Sequence, residues 1–123
     1  HMITANTLYT YKAKVVSIYD GDSLRLDIDL GFKIVMQNQR GRLLGIDTPE
    51  LRGDERESGL VARDYMRDLL LGKEVIITTI KDSYGKYGRW LIEVFLPDET
   101  QESGFLDVNK HLISEGLAVP YEK

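Results

Sequence analysis

A chain of 123 residues with 42% hydrophobic and 29% charged residues is long enough to bury one core and has the composition of an ordinary soluble globular domain. It has no cysteine, which excludes disulfides, thiolate zinc sites and cysteine nucleophiles, and no apolar stretch approaches bilayer length. A formal charge of -4 argues against a protein that grips polyanions through a broad basic surface.

The leading His1-Met2 reads as an expression remnant, and the polar residues after it lack the charged and apolar blocks of a signal peptide. Residues 8–19 alternate between apolar and polar and carry many aromatic and β-branched side chains, which predicts a strand. Asp20-Gly21 then supplies a turn. Residues 23–30 alternate again, with Leu24, Leu26, Ile28 and Leu30 on one face and Ser23, Arg25, Asp27 and Asp29 on the other. After Gly31, residues 32–46 are predicted to return as a strand bent near Gln37-Asn38-Gln39, so the connection is a meander. Thr48-Pro49 ends this strand and residues 51–57 read as a loop. Ser58 is the expected N-cap of a helix whose face is Ala62, Met66, Leu69 and Leu70 and whose end is Gly72. Compact β-branched runs over 75–80 and 90–96 are two more strands, separated by a loop over 81–88. Residues 105–115 are predicted as a second amphipathic helix through Val108, Leu112 and Ile113, stopped by Gly116. Five strands with a helix between the third and fourth predict an α+β, mainly β, single domain. The order is that of an OB-type Greek-key barrel with two packed helices, although other small α+β sheets share it.

Polar residues that packing does not require gather in three places, all at strand ends or in loops. Asp20-Gly21-Asp22 is the first. Asp-Gly is a common turn, so Asp20 reads as a turn residue only, whereas Asp22 opens a strand. The second is Arg42 through Glu50, where Asp47, Thr48, Pro49 and Glu50 set two carboxylates about a proline bend. A capping turn explains these equally well. An arginine at position 42 pointing into a small barrel needs an anionic partner, either an ion pair or a phosphate. Lys86-Tyr87-Gly88-Arg89 is the third. It fits a solvated hairpin, but as a site Gly88 allows a sharp turn, Arg89 can fork onto phosphate, and Tyr87 or Tyr84 can stack or hydrogen-bond.

Taken together, DGDSLRL at 20–26, RLLGIDTPE at 42–50, KYGRW at 86–90 and VNKHLISEGLA at 108–118 resemble the staphylococcal nuclease family, also called thermonucleases. The resemblance covers about residues 15–121. It implies an OB-fold barrel that binds one Ca²⁺ at its mouth through the Asp22 and Asp47 carboxylates and the Thr48 carbonyl. Hard oxygen ligands suit that ion. It implies that Glu50 positions or deprotonates the attacking water, that Arg42 and Arg89 hold the phosphate and neutralise its developing charge, and that Lys86 and Tyr87 bind the substrate's terminal phosphate. It also implies activity on DNA and RNA with little sequence preference, giving 3′-phosphate ends. Tyr121 stands near where the family places a substrate-facing tyrosine, although Pro120 disturbs the match.

Three departures stand out. The hairpin between Asp22 and Arg42 is longer than in typical members, so residues 32–39 are expected to project. The loop after Glu50 is shorter and more acidic than the lysine-rich loop common in the family, which predicts weaker, more metal-dependent binding of long polyanions. Many members continue into a third helix after the position of Ala118. We therefore expect apolar surface in this chain that a second copy, as a homodimer, or the long hairpin covers. Two other readings compete: a nuclease-like module that binds without cutting, and an OB-type single-strand binder. The second of these would want a basic groove and several aromatic platforms.

Overall fold

The computed structural model describes residues 8–84 and 88–121. In chain order these form strands β1 (Thr10–Ile18), β2 (Ser23–Gly31), β3 (Ile34–Leu43) and β4 (Ile46–Asp47), a 3-10 turn at Gly53–Glu55 and helix α1 (Arg56–Leu70). Strands β5 (Glu74–Tyr84), β6 (Trp90–Pro97) and β7 (Phe105–Asp107), helix α2 (Val108–Ser114) and strand β8 (Val119–Pro120) follow. The main sheet runs β3-β2-β1-β5-β6-β7, and a parallel pairing of β3 with β6 closes it into a barrel. The domain is thus the expected α+β OB-fold, a closed barrel of five strands with two helices packed on it.

Alternation in the strands sends Val15, Leu26, Leu43, Ile77, Ile92 and Val94 into the barrel, where all are fully buried. Helix α1 adds Met66 and Leu70 to this core and α2 adds Val108 and Leu112. Closure depends on Gly41 in β3. A Cβ there would stand 2.8 Å from Ile92 Cδ1 and 3.2 Å from Leu26 Cδ1, so a larger residue where β3 meets β6 would require these side-chain ends to shift.

Four boundaries differ from expectation. Helix α1 starts at Arg56, two residues before Ser58, because the 3-10 turn winds directly into it. The Glu55 side chain makes no cap bond and accepts instead from the Glu50 amide at 3.0 Å. Residues 105–107 pair with β6 as strand β7, and α2 begins after them with the Asp107 carboxylate accepting from the Lys110 amide at 3.1 Å. Strand β3 stops at Leu43. Gly45, at φ 81°, turns the chain into the two-residue β4, which pairs with β8. Strand β5 runs on to Tyr84, beyond the expected end at Ile80. The β2–β3 hairpin projects as expected: its tip residues Phe32 and Lys33 both have positive φ, and the Phe32 side chain is 97% exposed. Among the described residues no helix is long and apolar enough to cross a membrane.

Candidate active site

Antiparallel register sets Ser23 of β2 opposite Arg42 of β3, so the turn preceding β2 and the end of β3 share one barrel mouth. The Asp22 carboxylate is the hub. It is nearly buried, and its Oδ2 accepts the Thr48 amide at 3.0 Å and Arg42 Nη2 at 3.4 Å, while Oδ1 accepts from Ser23 Oγ at 3.3 Å. The same Arg42 nitrogen reaches Asp47 Oδ1 at 3.2 Å, so one guanidinium ties both carboxylates together. Its other nitrogen donates to the Leu43 and Ile46 carbonyls, each at 3.3 Å. Arg42 thereby clamps the Gly45 turn that brings Asp47 back towards Asp22.

Glycine permits the close approach twice. A Cβ on Gly21 would lie 2.8 Å from the Thr48 side chain, so the 20–22 turn sits directly on Thr48. A Cβ on Gly59, buried in the first turns of α1, would stand 2.8 Å from the Glu50 carbonyl carbon, 2.9 Å from the Pro49 oxygen, and against the Glu50 oxygen. Helix α1 thus rests its bare backbone on the loop that carries Glu50.

Electrostatics in the mouth are strained towards negative charge. Burial, reinforced by the neighbouring Asp22, pushes the Asp20 carboxyl up to about 6. Burial and then the charge of Asp22 raise Asp47, against the lowering influence of Arg42. Crowded carboxylates that resist ionisation together are the environment a cation relieves. Thr48 Oγ1 is buried with no hydrogen-bond partner, a further oxygen left unused in the same place. Among the described residues no group of three or more Asp, Glu or His side chains converges into a metal cage. Asp22, Asp47 and Thr48 offer two carboxylates and a threonine, all hard oxygens, a set that would suit an ion keeping much of its shell for water or phosphate.

Of the residues singled out in the sequence, Asp22, Arg42, Asp47 and Thr48 are in mutual contact. Arg89 Nη1 reaches Ser23 Oγ at 3.4 Å, one hydrogen bond from Asp22, because the β3–β6 pairing sets it beside β3. Glu50 lies at the edge: it shares a cleft of about 370 Å³ with Asp20 and Tyr19, and its exposed carboxylate pairs with Arg52 Nε at 3.5 Å. The Tyr121 ring covers the Arg42 guanidinium, 5.2 Å from centroid to Cζ, and the Tyr121 amide donates to the Gly45 carbonyl at 2.9 Å. Pro120 does not displace it, since Pro120 pairs with Ile46 as part of β8. Lys86 and Tyr87 lie outside the described residues.

Sequence reasoning passed over four contributors. Asp20 keeps its turn role, its carboxylate accepting the Asp22 amide at 3.1 Å, and it also lines the Glu50 cleft. Ser23 links Arg89 to Asp22, and Gly59 seats Glu50. Asn109, buried in α2, donates to the Leu44 and Ile92 carbonyls at 2.9 and 3.1 Å and accepts from the Val94 amide at 3.0 Å, pinning the arc after Arg42 to β6. A polar residue on the packed side of an amphipathic helix was the available signal for Asn109.

The closed barrel and its carboxylate and guanidinium mouth define an OB-type domain of the nuclease-like class. Residues 40–123 match the family described as staphylococcal nuclease homologue. The chain is also 32% identical over 107 residues to a thermonuclease of Staphylococcus intermedius, an overlap of 85% of this chain and 56% of that relative. The chain belongs to the staphylococcal nuclease family, and it spans a little over half the length of the relative it matches.

Proposed function

We propose that this protein is a metal-dependent endonuclease that hydrolyses phosphodiester bonds in DNA and RNA with little sequence preference, leaving 3′-phosphate ends. One observation carries the reading: a single guanidinium, Arg42, bridges Asp22 and Asp47 while Arg89 approaches the same aspartate through Ser23. Two carboxylates and two forked cations thus share one mouth, the charge arrangement that a phosphodiester and a divalent ion require together.

Asp22, Asp47 and the Thr48 carbonyl are the residues that would hold Ca²⁺. When bound, the ion supplies positive charge against the phosphate and a place for water. Arg42, which bridges the two aspartates, would turn its fork to phosphate once those carboxylates held the ion. Arg42 and Arg89 then orient the diester and stabilise the extra negative charge of the five-coordinate transition state. Glu50, on the loop seated by Gly59, accepts the proton of the attacking water, which its exposed pairing with Arg52 leaves it free to do. Tyr121 covers the outer face of Arg42 and borders the substrate. Lys86 and Tyr87 are assigned to the terminal phosphate on the family resemblance alone.

Digestion of single-stranded DNA in Ca²⁺, with and without chelator, tests the proposal beside Glu50→Gln and Arg42→Ala. Cleavage that disappears with chelator and falls by at least about 100-fold in either variant supports it. The same background in all samples would make the domain a binding module.

A further inference from the structure

Beside the mouth, on the other side of Tyr19 from the Glu50 cleft, lies a second cleft of about 540 Å³. Its charged lining is Arg25, Arg40 and Arg89, and among the described residues no acidic side chain lines it, in a chain whose formal charge is -4. The strands place the three cations in a row. Arg25 of β2 is the direct cross-strand partner of Arg40 of β3, and Arg89 immediately precedes Trp90, which pairs with Gly41 next to Arg40. Neighbouring strands are about 4.8 Å apart, so the guanidiniums crowd one short rim.

Like charges directly opposite each other on an antiparallel pair are destabilising, and sheets ordinarily relieve them with an acid. Here neither the Arg25 nor the Arg40 side chain forms an ion pair or hydrogen bond with another described residue. The pair also stands in fixed relation to the candidate active site. Arg42 and Arg40 share one face of β3, as Ser23 and Arg25 share one face of β2, and two residues of strand span about 6.6 Å. That is of the order of one nucleotide step along an extended strand. An anion bridging Arg25 and Arg40 would therefore lie one step from an anion held by Arg42 and Arg89.

We propose that Arg25 and Arg40 form a flanking-phosphate subsite, which binds the phosphodiester next to the scissile one in a polynucleotide. The inference rests on the nuclease reading for the location of the scissile bond, and on the register of β2 and β3 for the subsite itself. It requires a polymer: a substrate with one phosphodiester has nothing to offer these arginines. It also modifies the expectation from net charge, because affinity for polymers then comes from a local row of arginines that the total conceals.

The test compares Arg25→Gln/Arg40→Gln with wild type on a deoxythymidylate dodecamer and on the dinucleotide TpT, in Ca²⁺. The KM for the dodecamer is expected to rise about tenfold and the KM for TpT less than twofold. The slope of log affinity against log salt for the dodecamer, measured on Glu50→Gln protein, should become shallower by about 0.7, the value for one phosphate contact on a single strand. Arg25→Lys/Arg40→Lys should keep most of that slope, and Lys12→Gln/Lys14→Gln, on β1 outside the cleft, should leave it unchanged. Relief of the facing charges means that the glutamine variant melts no lower than wild type. Equal losses on both substrates, or an unchanged dodecamer KM and salt slope, would overturn the subsite and leave the nuclease reading intact. Dodecamer binding that still depends on the two arginines in a wild type that cuts neither substrate would sustain the subsite and end the nuclease reading. Absence of both binding and cleavage would end both.

Discussion

Gly59→Ala isolates the positioning of Glu50 from its chemistry. The added methyl would meet the Glu50 carbonyl carbon at 2.8 Å, where ordinary contact begins at 3.4 Å, so α1 and the Glu50 loop must part by at least about 0.6 Å. The carbonyl oxygen, nearer still, demands more. Overpacking of this kind costs about 1–3 kcal/mol, and the better helix propensity of alanine returns roughly 1 kcal/mol. Net destabilisation should therefore be modest, at about 0–2 kcal/mol by urea unfolding. Catalysis is more sensitive to position, since a misplacement near 1 Å can cost on the order of 100-fold. We expect kcat on single-stranded DNA to fall about 10–100-fold with little change in Ca²⁺ affinity, because the atoms nearest the new methyl belong to Pro49 and Glu50 and not to Asp22, Asp47 or Thr48. Ser58→Ala, one residue away and exposed, should change neither quantity. Wild-type kcat in the alanine protein would refute the claim that α1 seats the catalytic loop.

Three other outcomes follow from the same geometry. Asn109→Ala leaves the buried Val94 amide and the Leu44 carbonyl without the partners they have now, while the Ile92 carbonyl keeps the Leu44 amide at 2.8 Å; a loss of about 2–4 kcal/mol and a melting point lower by roughly 10 °C are expected in thermal unfolding. Ca²⁺ at about 100 times its dissociation constant should stabilise the protein by about 2.7 kcal/mol, and Asp22→Asn or Asp47→Asn should abolish the shift. If no shift occurs in wild type, the ion assignment fails. A homodimer through the exposed hairpin tip should sediment with a concentration-dependent mass that Phe32→Ser/Ile34→Thr reduces to the monomer, and a monomeric wild type at every concentration would remove it.

Strand β2 was legible because its two faces differ in chemistry: Leu24, Leu26 and Ile28 are buried and the polar residues between them are not. The α1 start was not, since a serine followed by an amphipathic pattern is the usual cap signal and nothing local announces a preceding 3-10 turn. Strands β4 and β8, two residues each, are too short to display a period, so only tertiary pairing creates them. The site divides likewise. Motif residues Asp22, Arg42, Asp47 and Thr48 could be named from the sequence, but Asp20 could not be promoted, because an Asp-Gly turn looks the same whether or not its carboxylate is buried against another. The opposition of Arg25 and Arg40, fifteen positions apart, exists only once the β2–β3 register is fixed, and that register shifts twice along the pair.

Register also resolves the tension between an acidic chain and the polyanionic substrate proposed for it. At physiological ionic strength charges are screened over about 8 Å, so a phosphate responds to the side chains within reach more than to the total of -4. Tyr19 lines both clefts, with Asp20, Glu50 and Arg52 lining one and Arg25, Arg40 and Arg89 lining the other. On the proposed function, a strand entering the mouth would meet mixed charge in one direction and only arginines among the described charges in the other. On that reading, charge placed this way would favour one path of the backbone as well as raise affinity. Reversing the sign of the arginine cleft should therefore be more damaging than neutralising it, while an equal change in net charge on the exposed face of β1 should do little.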